Sequence, residues 1–340
     1  MNWQSTRDKI LQIERLVVLL SVSGLLLAGC VSATPEPAPS ATVKDGPTSD
    51  RVTTVAVTPD GAAWFGFGDH STSTPGGGLS RFDGQEWQHF LDDTEVNVLA
   101  VGPDGSLWAG VGCDVQRFDG IAWETVLGCG KPLPRGNVLD IAFTPDGAAW
   151  VANGFGLAHF DGRSWKVYDR LINSLEVAPD GTVWMNGWEG LQDSFYVAQL
   201  DGQNWTIYST SDSFPGPFMV RAVTPDGLVW GTVPERGLAS FDGQSWTDGE
   251  SWTVYTTADD LHLDNVNVLA VAPDGTLWVG TNKGAARFDR ESPADKMWTS
   301  YTTDDGLASD NVRAIAFGLN GEIWFGTTRF LPPEAEPFWP

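Results

Sequence analysis

From residue 51 onward, short apolar runs are separated by polar, glycine-rich segments, the pattern of many short strands joined by turns. VNVLAVA (266–272) is rich in β-branched residues and reads as a strand. The Pro-Asp-Gly that closes it favours a tight reversal, because Asp-Gly accepts positive φ. TLWVGT (276–281), AARFD (285–289) and MWTSYT (297–302) follow as three further strands. The unit is therefore four short antiparallel strands joined by glycine-rich turns.

The unit recurs. Pro-Asp-Gly, two residues, then Trp begins at Pro59, Pro103, Pro145, Pro179, Pro225 and Pro273, and Leu319-Asn320-Gly321 is a seventh, altered copy. The tryptophans are Trp64, Trp108, Trp150, Trp184, Trp230, Trp278 and Trp324. A second motif, an apolar residue then Asp-Gly, two residues and Trp, starts at Phe82, Phe118, Phe160, Leu200 and Phe241, and its sixth copy runs from Phe288 to Trp298 with an insertion. A repeat of this length with four strands is the signature of a propeller blade. The predicted fold is all-β, a seven-bladed β-propeller of four-stranded antiparallel blades over 51–340. Burying ~200 Å² per repeat Trp is worth roughly 5 kcal/mol each as an upper bound, so these indoles are core before anything else. Closure is the open question. After the second strand of unit seven only TRFLPPEAEPFWP remains. Either 328–340 supplies thin third and fourth strands, or 41–48 adds one, or the repeat is cut short from a longer parent.

The N-terminus follows a different pattern. Arg7, Lys9 and Arg15 precede an apolar run, LVVLLSVSGLLLAG (16–29), too short at about 1.5 Å per residue to cross a ~30 Å hydrocarbon core. It ends Leu27-Ala28-Gly29-Cys30, which resembles the lipobox of bacterial lipoproteins. That resemblance implies a signal peptide over 1–29 and lipid on Cys30, hence an extracytoplasmic protein anchored to a bacterial membrane. Residues 30–50, rich in Pro, Ser, Thr and Ala, read as a tether.

Stretches such as NVLAVAPDGTLWVGTNKGAARFD (267–289) and YTTDDGLASDNVRAIAFGLNGEIWFGT (301–327) resemble the two-component regulator propeller repeat. The resemblance implies a sensor-like ring outside the cytoplasm, here in a stand-alone lipoprotein form without a kinase. Trp-rich repeats are also shared by the propeller lyases that open streptogramin antibiotics, but their clustered His/Glu group has no clear match here.

Composition narrows the chemistry. A net charge of −24 without a basic stripe argues against nucleic acid. His70, His89, His159 and His262 form no metal spacing, and no calcium loop, nucleophile elbow or phosphate-cradling loop is found, so neither metal nor cofactor is expected. His89 and His159 fall in strands and read as structural. Cys113 and Cys129 should face each other across the third-to-fourth-strand hairpin of unit two, where a disulfide is expected outside the cytoplasm.

The two faces of the ring should differ. Pro-Asp-Gly and Asp-Gly turns make one face uniform, whereas the second-to-third and fourth-to-first loops are irregular. Rigid scaffolds carry function on variable loops. The candidates there are Asp69, His70, Trp188, Glu189, Gln192, Glu235, Arg236, His262, Lys283 and Arg329, with Trp188 foremost as an exposed platform outside the repeat register. The expected role is binding a small molecule, a glycan or an envelope protein. The rivals are an extracytoplasmic lyase or hydrolase with its site on the same face, and a structural envelope module. The GQSWT–GESWT echo (243–253) reads as a small duplication without chemistry.

Overall fold

The computed structural model describes residues 51–68, 77–92, 94–189, 194–209, 218–234, 237–247, 249–255, 266–290 and 297–328, with isolated positions at 42–43, 47, 49 and 292. Blade one holds β2 (Val52–Val57), β3 (Ala63–Phe67), β4 (Gly78–Phe82) and β5 (Trp87–Phe90), with the two-residue β1 (Thr42–Val43) added outside β5. Blade two is β6 (Val96–Val101), β7 (Leu107–Val111), β8 (Asp114–Phe118) and β9 (Trp123–Leu127). Blade three is β10 (Asp140–Phe143), β11 (Ala149–Ala152), β12 (Leu157–Phe160) and β13 (Trp165–Tyr168). Blade four is β14 (Leu171–Val177), β15 (Val183–Glu189), β16 (Ser194–Asp201) and β17 (Asn204–Ser209). Blade five is β18 (Met219–Val223), β19 (Val229–Val233), β20 (Gly237–Phe241) and β21 (Trp252–Tyr255). Blade six is β22 (Val266–Val271), β23 (Leu277–Thr281), β24 (Gly284–Phe288) and β25 (Trp298–Tyr301). All pairings are antiparallel.

The expectation of seven four-stranded blades is corrected: there are six. Among the described residues the seventh repeat is a two-stranded sheet, β26 (Val312–Phe317) with β27 (Ile323–Thr327). No Phe-Asp-Gly-x-x-Trp motif follows Trp324, and residues 329–340, the stretch expected to supply third and fourth strands, lie outside the described residues. The 41–48 segment does not complete it, because Thr42 and Val43 pair with His89 and Gln88 of blade one.

The ring nevertheless closes. First strands adjoin in order, β2 to β6, β10, β14, β18, β22 and β26, and β26 returns to β2. Arg51 bridges Thr328. A Cβ on Gly326 would stand 2.6 Å from Val52 Cγ1, the approach that Gly66 makes to Val96, Gly110 to Val138 and Gly280 to Val312 at other junctions. An apolar cluster fills each junction; Val55, Phe65 and Phe82 meet Ala314, Ala316 and Trp324 at the last.

Local chemistry builds each blade. The turn glycines have φ between +82° and +92°, which L side chains rarely adopt. Where Thr precedes the turn, its hydroxyl donates to the Asp carboxylate, as Thr58 to Asp60 at 2.5 Å and Thr144 to Asp146 at 2.6 Å. Trp64 Nε1 in turn donates to Thr58 Oγ1 at 3.0 Å, satisfying the polar edge of a buried indole. The first six repeat tryptophans are at most 5% exposed, whereas Trp324 in the thin sheet is half-buried. In the GQSWT–GESWT echo, Trp252 takes the register place opposite Phe241, and Trp246 stacks 4.5 Å from Tyr208. Both are buried. Cys113 and Cys129 are joined by a disulfide, Cα to Cα 4.9 Å, at the end of the β8–β9 hairpin.

Candidate functional site

Most of the loop residues singled out from sequence lie outside the described residues: Asp69, His70, Gln192, Glu235, Arg236, His262 and Arg329, together with the lipidation candidate Cys30. Glu189 ends β15 with only its backbone described. Lys283 is exposed in the β23–β24 turn, its N–H donating to Thr281 Oγ1 at 3.0 Å. Trp188 is half-buried at the end of β15, its ring 3.8 Å from Phe195. It pairs with Leu171 at the start of β14, so it borders the channel mouth on blade four.

The repeat itself marks a site beneath that mouth. Counting back from the turn Pro, the third residue is Ala in six copies and Glu176 in blade four. The fourth is Val, Leu or Ile in six and Arg221 in blade five. The fifth is Thr, Ser, Val or Ala in six and Asp140 in blade three. The three exceptions sit on the first strands of consecutive blades, which wall the axis of the ring. The variable loops give no signal for them, because each lies inside a strand.

Backbone geometry places each one. Asp140 fastens blade three to blade four: its Oδ2 accepts the Leu175 N–H at 2.8 Å and its Oδ1 the Ile141 N–H at 2.8 Å. Thr54 does the same for Leu99 between blades one and two, at 3.1 Å. A clasp therefore needs only a hydroxyl, and the carboxylate brings charge besides. Arg221 sits in a β-bulge. In five other repeats the register slips at the sixth residue before the turn, but in blade five it slips between Val220 and Ala222. Bulges re-aim side chains and are frequent beside functional sites. The shift requires Gly231, since a Cβ there would lie 2.2 Å from the Met219 carbonyl oxygen. Asn186 holds the bulge by exchanging two hydrogen bonds with the Val220 backbone, at 2.7 and 2.9 Å.

Electrostatically the trio is strained. Burial pushes the Asp140 carboxyl up to about 7, against its two N–H bonds and the Arg221 charge, which pull it down. Burial also raises Glu176 well above the usual carboxylate range, repulsion from Asp140 adds to this, and Arg221 opposes it. No hydrogen bond stabilises the Glu176 carboxylate, and Arg221 acts on both acids only through space. Arg221 Nε is buried without a hydrogen-bond partner. Above the trio, at the irregular end, Leu139 is 43% and Phe155 58% exposed. The Phe155 loop is fixed: Asn153 Nδ2 donates to the Pro134 carbonyl at 2.6 Å, and Gly154 N–H to the Ile172 carbonyl at 3.1 Å. The place of a Cβ on Gly154 is 3.2 Å from Leu139 Cδ1 and 3.8 Å from Asn173 Oδ1, so these groups share one mouth.

Among the described residues no His/Cys/Asp/Glu group has metal-binding geometry, and no helix is long and apolar enough to cross a membrane. His89 is fully buried with Nδ1 2.8 Å from Ser80 Oγ, and His159 lies 4.3 Å from the Trp150 ring, its pKa lowered by burial.

A ring of blades in which Asp140, Glu176 and Arg221 depart from the repeat on three adjacent inner strands defines a propeller with one distinctive sector. Residues 260–283 match the family described as two component regulator propeller, so the chain carries the repeat of that family. No curated protein sequence matches it. Similar solved structures include PorZ, a surface component of the type-IX secretion system of Porphyromonas gingivalis, at 17% identity and TM-score 0.64, covering 83% of this chain and 46% of PorZ. The extracellular domain of a putative hybrid two component system of B. thetaiotaomicron matches at 16% and 0.64, covering 84% of this chain and 40% of that one. Virginiamycin B lyase of Staphylococcus aureus matches at 15% and 0.60, covering 82% and 92%. At these identities the likeness is one of fold. The chain spans less than half the length of the first two.

Proposed function

We propose that this protein is a sensor-like binding module, held outside the cytoplasm by lipid on Cys30, that takes a ligand or partner at the irregular face of its propeller. The observation that carries the reading is the contrast within one chain. The uniform face is closed by near-identical Asp-capped turns, while the other opens at blades three and four on exposed Phe155 and Leu139 above charged, incompletely bonded groups. The likeness to an extracellular domain of a two component system and to a secretion-system surface component supports the same setting.

The test is a thermal-shift screen of the full chain in detergent against oligosaccharides, peptides and small polar metabolites, repeated with Phe155→Ala and Trp188→Ala. A ligand whose stabilisation both variants weaken supports the reading, and a chain that responds to nothing sinks it. Loss of palmitate labelling in Cys30→Ser checks the anchor.

A further inference from the structure

We propose that the channel wall at blades three to five binds a compact zwitterion of the free amino-acid class, its ammonium group held by Asp140 and Glu176 and its carboxylate by Arg221. This rests on the binding-module reading and names what that module takes.

Three observations converge. First, Asp140 and Glu176 stand at inner-strand positions where the other repeats carry small or apolar residues, and Arg221 is the unpaired bulge residue of the next inner strand, so the ring architecture requires none of them. Asp140 has a clasping role a hydroxyl could fill, and Glu176 and Arg221 have no bonding role in the ring. Second, the groups are built in place. The bulge, Gly231 and the Asn186 clamp together present Arg221, and its Nε keeps an unused donor in a buried setting. Leaving such a donor unbonded is costly unless a ligand takes it up. Third, the charges are complementary to one class. Two acids and one guanidinium on adjacent inner strands match a ligand with a positive and a negative end, and the guanidinium fork suits a carboxylate. A simple cation would leave Arg221 unmet, and a simple anion would meet two carboxyls. The apolar mouth at Leu139 and Phe155 would sit against the remainder of the ligand.

The experiment is a thermal-shift and calorimetric titration of the full chain with single L-amino acids, each beside its N-acetyl and methyl-ester forms. At a hundredfold excess over Kd, melting should rise by about 5 °C for at least one free amino acid and for neither blocked form. Glu176→Ala restores the residue common to the other repeats, and Arg221→Leu removes only the guanidinium from the unpaired bulge position, so both should fold. Each should abolish the shift. Blocked forms acting as well as the free amino acid, full binding by either variant, or no response to any amino acid would each overturn the assignment. An oligosaccharide or peptide that binds parent and both variants alike would also overturn it while leaving the module reading intact, whereas silence towards every class would remove both.

Discussion

Asp140, Glu176 and Arg221 make testable demands on stability. A buried ionisable group without close partners, whether it stays charged or takes up a proton, is destabilising relative to a fitted apolar residue. Glu176→Ala should therefore raise the melting temperature, by roughly 2–8 °C, as read by circular dichroism. Asp140 gives a pH signature. Its folded pKa, about 7, lies above its ordinary 3.8. Between those values the folded chain keeps a proton that the unfolded chain releases, so this contribution declines as pH rises through that window and is flat above it. Asp83, Asp119 and Asp161 have the opposite sign, because backbone N–H groups bonded to their carboxylates lower their pKa. Their contribution is lost as pH falls through their depressed values. Melting should peak on the acid side of neutrality, and in Asp140→Asn the decline from pH 5 to pH 7.5 should shrink. An unchanged slope would remove Asp140 as its origin.

At the level of strands and turns, the sequence was legible wherever a residue type is forced by local geometry. The strands expected for blade six, 266–272, 276–281, 285–289 and 297–302, match β22 to β25 to within a residue at most ends. Asp-Gly turns and periodic indoles admit few other structures. The count of blades went wrong because the Pro-Asp-Gly-x-x-Trp motif reports only the first hairpin of a repeat. The second motif, missing after Trp324, was the one that reports the outer strands. The site was hidden for a different reason. An ionisable residue within a strand differs from its neighbours only when the repeats are aligned column by column, and the bulge that presents Arg221 carries no residue signature beyond Gly231. That bulge is open to test. Gly231→Ala would force a Cβ against the Met219 carbonyl and should lower melting by about 5–10 °C, whereas Gly61→Ala, where a Cβ would meet nothing within 4 Å, should lose less, through its positive φ alone. Equal losses would mean the bulge is not under that constraint. Removing the Asn186 clamp with Asn186→Ala should destabilise by about 1–3 kcal/mol, measured by urea unfolding.

On the scale of the whole ring, the thin sheet β26–β27 is the place where support is least, since β27 has no third strand beside it among the described residues. Amide exchange should be fastest in 323–327 compared with the second strands of the other blades, such as 277–281. The disulfide works at the opposite end of the range. It links residues 16 apart at the rim of blade two, a separation for which the chain-entropy argument gives about 3 kcal/mol. Cys113→Ser with Cys129→Ser should therefore lower melting by several degrees without altering the strand content.

Arg51 lies beside Thr328, so the residue that opens the ring and the residue that completes it are neighbours. The fold is thus almost indifferent to where its polypeptide begins. A permuted gene that splices 328 to 51 through a short linker and starts anew at Gly120, in an exposed turn, should yield the same circle of sheets, and a binding sector carried on blades three to five would then be read out in an unbroken half of the new chain.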